Sequence, residues 1–192
     1  MGFTTLGLYA FTAAVAGASP LPTGNVVWTS EPAVSKATLT VPYLLLAHTT
    51  ATIPVESGTV VTSESSITPV RVDLRFASAA LTTGDPKRDA DLRSDRFFDV
   101  ARYPVILFSS DEIVATNANT FSIKGTLTMH GASHVIMLDG HSNAEDRTAD
   151  GRRHIRYEAT GSFRRTDFGM TFYRGIVGND VTLDVVIEAT AS

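Results

Sequence analysis

The chain predicts an all-β protein built from antiparallel strands, each with one apolar and one wet face. Three observations predict it. Apolar and polar residues alternate with period two over many segments; Gly, Pro, Asn and Asp punctuate those segments; and Val, Thr, Ile and aromatic residues fill them. So many one-sided strands bury their apolar faces together only in a barrel or a sandwich, and periodicity does not separate the two. With 192 residues and 43% hydrophobic content, the chain suits one domain with a substantial core.

The first charged side chain is Glu31. Before it, Phe3 to Val15 is apolar and Ala16-Gly17-Ala18 supplies the small residues of a signal-peptidase site, although no basic residue precedes the run. The run is too short for a membrane span, which needs about 20 apolar residues. The expectation is an export signal over residues 1–18 and a folded domain over 19–192, placing the protein in the periplasm or outside the cell. Ser19 to Gly24 reads as a spacer, and Val26 to Thr29, with the single tryptophan Trp28, opens the fold. Ala37 to Ala47 contains Pro42, which removes a ladder donor and suggests an edge or bulged strand. Ala51 to Val55 and Thr59 to Thr62 read as two short strands around Ser57-Gly58.

Alternation then becomes regular. Val70, Val72, Leu74 and Phe76 share one face. Thr83-Gly-Asp-Pro86 breaks the strand and opens a charged segment, Arg88 to Arg102, in which Leu92, Phe97 and Val100 form an imperfect helical stripe. Pro104 ends any helix, because the residue before a proline is pushed into the extended region. Ile106, Phe108 and Ser110 follow on one face of the next strand. Phe121 to Met129 alternates, Val135 to Asp139 pairs back after Gly131, and Gly140 to Gly151 reads as a polar hairpin tip. Ile155 to Phe163 and Val181 to Ala189 complete the set. Gly125 and Gly161 lie on apolar faces, where a missing side chain marks curvature or close approach of another group.

Composition excludes several functions. A net charge of −4 without a basic cluster argues against nucleic acid and against electrostatic docking on anionic lipid. The absence of cysteine removes disulfides and thiol chemistry. Gly131-Ala-Ser133-His134 lacks the second glycine of a nucleophile elbow, and its Ser and His are strand neighbours whose side chains diverge. Asp146-x-Thr148-x-Asp150-Gly151 resembles the start of a calcium loop, but Tyr157 stands where the bidentate acid belongs. His130 and His134 flank a turn without a third metal ligand. No glycine loop joins a strand to a helix to cradle phosphates, so no nucleotide cofactor is expected.

The order Arg88-Asp-x-x-Leu92-x-Ser94-x-x-Phe97-Phe98-Asp99-x-x-x-Tyr103-Pro104-x-Ile106-x-Phe108-x-Ser110 resembles the signature of the YceI-like family. Gly125-Thr-Leu-Thr-Met-His-Gly131 and Arg165-Thr-Asp-Phe-Gly169 resemble two further family segments. One departure is Asp91, where the family often has His. The resemblance implies an up-and-down, lipocalin-like antiparallel barrel of about eight strands with a short charged helix, enclosing an elongated apolar tunnel. It also implies a binding protein, not an enzyme, whose ligand is a polyisoprenoid, an isoprenoid quinone or a long fatty amide, and a chain that can pair as a homodimer. The candidate tunnel wall is Val72, Leu74, Phe76, Ile106, Phe108, Ile123, Leu127, Met129, Ile155, Tyr157, Phe168 and Val185, with Ser110 and Tyr157 as polar groups on the inner face. The alternative reading is a ligand-free interaction module with a solid core.

Overall fold

The computed structural model describes residues 24–44 and 47–191, so the expected export signal at 1–18 lies outside the described residues. Ten strands form one sheet: β1 (Asn25–Ser30), β2 (Lys36–Tyr43), β3 (Ala47–Ser63), β4 (Pro69–Ala77), β5 (Val105–Ala115), β6 (Thr120–Met129), β7 (Ala132–Ser142), β8 (Asp146–Arg147), β9 (Arg153–Arg164) and β10 (Asp180–Ala191). One helix, α1 (Pro86–Arg93), crosses between β4 and β5. Pairing runs antiparallel from β10 through β2, β3, β4, β5, β6, β7 and β9 and returns to β10, which closes an eight-stranded barrel.

β1 is not a ninth stave. It pairs with the distal half of β3 (Asn25↔Ser63 to Thr29↔Thr59) and the end of β10, while β2 pairs with the proximal half of β3 (Lys36↔Pro54 to Tyr43↔Ala47) and the start of β10. The two are successive halves of one stave, interrupted at Glu31–Ser35. Ser35 repairs the break: its hydroxyl accepts from Glu188 N–H (3.1 Å) and its carbonyl accepts from Val55 N–H (3.1 Å).

Four sequence expectations are corrected here. The two short strands expected around Ser57-Gly58 are one continuous strand, β3, with a bulge between Val55 and Ser57. Gly58 bends there without turning back, and a Cβ on it would lie 2.6 Å from Leu74 Cδ2. β2 is interior, not an edge strand, because β10 covers its other side up to Thr40; Pro42 falls beyond that pairing, where its missing N–H breaks nothing. Val70 points outward, since a second irregularity in the β3–β4 ladder leaves it unpaired and gives its inner position to Pro69. The residues read as a polar tip at Gly140 to Gly151 begin as ladder: β7 runs to Ser142 before the chain turns.

The charged segment is also shorter than its stripe suggests. Asp85 caps α1, accepting from Lys87 N–H (2.9 Å) and Arg88 N–H (3.3 Å), and Pro86 takes the first helical position. The helix stops at Ser94, whose hydroxyl donates to Asp91 O (2.6 Å). Phe97 and Phe98 then enter the interior from consecutive turns, not from a helical face, with Asp99 at φ 45°. Asp89 ties the helix to the preceding strap, accepting from Thr82 Oγ1 (2.8 Å), Thr83 N–H (2.6 Å) and Thr83 Oγ1 (2.7 Å). The strap is itself laddered to β3 through Thr82 and Thr52.

The two barrel ends differ. At one end Trp28 is fully buried and donates to Thr62 Oγ1 (3.0 Å), with the Arg153 guanidinium 4.9 Å above its ring. At the other, α1, Phe97, Phe98 and the turn after β9 form a roof. That turn, Arg165–Phe168, ends at Gly169 with φ 80°, a conformation that only glycine adopts without strain. Arg165 is buried, yet meets no carboxylate. Its guanidinium donates to the carbonyls of Met170 (2.6 Å), Phe172 (2.9 Å), Val177 (3.0 Å) and Gly178 (2.7 Å), and so fixes the loop from 170 to 178.

Arg165→Met leaves four carbonyls without their donor and is expected to cost about 3–5 kcal/mol in urea unfolding, with the 170–178 loop losing amide-exchange protection first. Hydrogen bonds from Thr83 and Thr82 hold the Asp89 carboxyl below its ordinary pKa of 3.8. A depressed native pKa contributes stability above the unfolded value that is lost as pH falls through the native one. Asp89→Asn therefore lowers the melting temperature at pH 7, and its gap from the parent protein narrows below about pH 4.

Candidate functional site

The inward faces of the eight staves enclose an apolar cavity with about 50 Å³ of room for the centre of a water-sized sphere. Its wall is aliphatic and aromatic. Cross-strand register explains the alignment: Leu74, Phe108 and Leu127 lie in one row across β4, β5 and β6, and Leu138, Gly161 and Leu183 in another across β7, β9 and β10. Rows of this kind place side chains of neighbouring strands in direct contact.

Of the side chains proposed from sequence, Val72, Leu74, Phe76, Ile106, Phe108, Ile123, Leu127, Met129, Tyr157 and Val185 line this cavity. The other three lie elsewhere. Ile155 is fully buried at the Trp28 end, beside Ala189. Phe168 belongs to the roof, edge-on to Phe163 (5.4 Å) and to His134 (4.9 Å). Ser110 accepts a hydrogen bond from Val72 N–H (2.9 Å) and extends the β4–β5 ladder past its last pair.

Several lining residues escaped the sequence reading. Phe121, Leu183 and Ile187 stand on faces whose alternation was recognised, so period two alone would have found them. Leu39, Ile53 and Val60 come from β2 and β3, where the broken stave and the bulge scramble the alternation. The room suggested by Gly125 is taken by the chain itself: a Cβ there would overlap the Phe108 ring, and one on Gly140 would overlap Phe121. These glycines let aromatic rings lie flat against the sheet.

Polar groups at the wall are few. The Tyr157 hydroxyl donates to Ile67 O (3.2 Å), and burial pushes its phenol well above the usual tyrosine range. The Glu158 carboxylate is engaged by Arg156. Ser133 pairs with Thr128 (2.8 Å) while His134 packs on Phe168, so they form no nucleophile–base couple. The acids of the calcium-like segment are occupied: Asp150 by Arg152 (2.8 Å) and Asp146 by His154 (2.7 Å). No group of three potential metal ligands exists among the described residues.

Beyond Leu39 and Phe163, which line both spaces, the cavity gives way to a second apolar chamber under α1, walled by Leu92, Phe97, Phe98 and Met170. Val41, Leu92, Phe97 and Val177 in turn line both this chamber and an open surface groove between α1 and the loop carrying Tyr173 and Ile176. The groove has about 720 Å³ of room on the same measure, and Tyr43, Tyr173 and Ile176 on its rim are exposed. Arg96 pairs with Asp91 there and lies 4.9 Å over the Phe172 ring. No described helix is long and apolar enough to cross a membrane.

Comparison with known proteins places this architecture. A UPF0312 protein of Pseudomonas syringae pv. tomato is 28% identical over 118 residues, covering 62% of this chain and 61% of the relative, so the match spans about three fifths of that protein. Among solved structures, Burkholderia cenocepacia BcnA superposes with a TM-score of 0.72 at 16% identity, over 84% of this chain and 99% of that one. A domain from Saccharophagus degradans, described as polyisoprenoid binding and implicated in plant cell wall breakdown, superposes with a TM-score of 0.64 at 17% identity, over 87% and 99%. Both likenesses are likenesses of fold. The YceI-like domain profile matches residues 28–189, nearly the whole described barrel, and the chain therefore belongs to the YceI-like family.

Proposed function

We propose that the protein is a carrier or reservoir for a long apolar molecule of the polyisoprenoid class, with the hydrocarbon tail in the barrel. The observation that carries this reading is the apolar barrel cavity with an apolar chamber under α1 next to it and an open groove beyond, successive spaces that share Leu39 and Phe163, then Leu92 and Phe97, as lining residues. Each CH₂ taken out of water contributes about 0.8 kcal/mol, so about a dozen buried carbons supply roughly 10 kcal/mol before ordering costs. No ionic contact is needed at the tail. The narrow cavity requires side chains to give way as the chain enters, and Met129, with its unbranched thioether, swings at low cost.

Binding without catalysis fits the wall. Its one hydroxyl, on Tyr157, is spent on Ile67, and its phenol does not ionise near neutral pH. The Saccharophagus degradans domain described as polyisoprenoid binding has the same fold, which supports the ligand class. An exported compartment, where such molecules need an aqueous carrier, agrees with the apolar first residues of the chain.

Organic-solvent extraction of the natively purified protein, followed by mass spectrometry, is expected to release a long-chain lipid near one equivalent. Protein that yields none and takes up no farnesol in titration is a solid barrel, and the carrier reading fails. Leu127→Trp places an indole across the cavity beside Phe108. It is expected to cost about 1–3 kcal/mol of stability by overpacking, while lipid retention falls at least tenfold with the circular-dichroism spectrum unchanged.

A further inference from the structure

The loop that Arg165 fixes has a second face. Between β2, the end of β9 and residues 174–179 lies a crevice with about 590 Å³ of room for water-sized centres, lined by Pro42, Arg164, Arg165, Thr166, Arg174 and Asn179 among others. It holds three arginines, and no acid lines it. Among the described residues none of the three makes an ion pair with a carboxylate. Asp180, directly across the ladder from Arg164, does not pair with it, and Asp167, exposed in the neighbouring turn, is not part of the wall.

Most of the other arginines are paired, while Arg93 and Arg147 donate to the carbonyls of Leu81 and Gly151. Arg71, Arg75, Arg88, Arg96, Arg102, Arg152, Arg153 and Arg156 each have an acidic partner. In the crevice the Arg165 guanidinium is buried, and burial followed by the like charge of Arg174 pushes it below the usual arginine range. Cations held together without a counter-charge repel one another, and an anion between them relieves that repulsion. Asn179 accepts from Thr166 N–H (3.1 Å), which leaves its amide nitrogen as a further donor. Planar guanidinium forks pair bidentately with phosphate oxygens, as they do with carboxylates, and several cations around one crevice suit an anion of more than one charge.

Position adds the second half of the argument. Val177 lines the arginine crevice, the apolar chamber under α1 and the open groove alike, and Arg165 lines both the crevice and the chamber. A phosphate group here would sit one side chain away from the path of an apolar tail. We propose that the crevice binds a phosphate-class anion, presented as the head group of the long-chain molecule whose tail enters the barrel. The head-group assignment rests on the carrier reading above; the anion site does not.

Isothermal titration at low ionic strength with farnesyl diphosphate, farnesol and inorganic pyrophosphate tests both parts, on the full-length protein and on the Arg164→Gln/Arg174→Gln double variant. Arg165 is left in place because it holds the loop. The parent protein is expected to bind farnesyl diphosphate at least about tenfold tighter than farnesol, the advantage of one or two charge-assisted hydrogen bonds, and to bind pyrophosphate more weakly than farnesyl diphosphate. In the double variant that preference disappears while farnesol affinity stays within about twofold, and added salt erodes the preference in the parent protein only. Equal affinities for farnesol and farnesyl diphosphate in the parent protein, or a preference that survives in the double variant, overturn the crevice. Pyrophosphate binding as tightly as farnesyl diphosphate with no binding of farnesol keeps the anion site, and overturns both the head-group assignment and the carrier reading.

Discussion

Closure of the sheet is the constraint on which everything else in this molecule depends. β9 and β10 pair over their full length, from Asp180↔Arg164 to Ala191↔Arg153, and that ladder joins the last strand to the rest of the barrel. An open sheet of the same strands would present unpaired edges and expose an apolar face to water. Closed, it turns every inward side chain toward one axis. The split stave β1/β2 shows how strictly closure is enforced: where the chain leaves the ladder at Glu31–Ser35, a serine hydroxyl and a serine carbonyl take over the pairing of both neighbours. Glycines at 125 and 140 serve the same end, since they let Phe108 and Phe121 lie against the curved wall.

Legibility from sequence follows from the same constraint. Where a strand itself carries no inserted residue, as in β6, β9 and β10, period two reports burial directly, and the inward residues could be named. Where a bulge inserts an extra residue, as at Val55–Ser57 in β3 or around Val70 in β4, the pattern changes phase and the reading fails. Alternation also tells inside from outside but not wall from floor. Ile155 and Tyr157 stand two apart on one face; the first is packed at the Trp28 end and the second lines the cavity. Arg165 was invisible for a different reason. In Arg164-Arg165-Thr-Asp it reads as surface charge, and the carbonyls that hold it belong to residues five to thirteen positions later.

The barrel is asymmetric along its axis. The Trp28 end is tied shut by side-chain hydrogen bonds to Thr62 and Ile67 and by the Arg153 guanidinium over the indole. At the α1 end hydrogen bonds to Asp89 and from Arg165 hold the roof elements, while the side chains of Phe97, Phe98, Phe168 and Met170 close the mouth by packing, over a chamber whose wall residues also face an open groove. Packing contacts are non-directional and reform after sliding, whereas a buried hydrogen bond once broken leaves both partners uncompensated. The compliant part of the closure is therefore the packed side chains at the α1 mouth, beneath a roof that Asp89 and Arg165 hold.

On the proposed carrier reading, a long apolar molecule entering at the α1 end would enter tail first and leave its polar end at the roof. Recognition is then divided by position. The barrel wall would then measure length and width of the hydrocarbon and offer it little else, because the only hydroxyl among the described wall residues is already bonded. On the same reading, whatever discriminates one head group from another would stand at the roof, on α1 or on the loop from 170 to 179. These are the elements held by Asp89 and Arg165, one carboxylate and one guanidinium, each bonded to uncharged groups of the chain. Both charges are tied to local geometry, and among the described residues Arg164 and Arg174, close to Arg165, make no ion pair with a carboxylate. Under the carrier proposal, then, the sheet would fix what kind of tail fits, and the roof would decide what the tail is attached to.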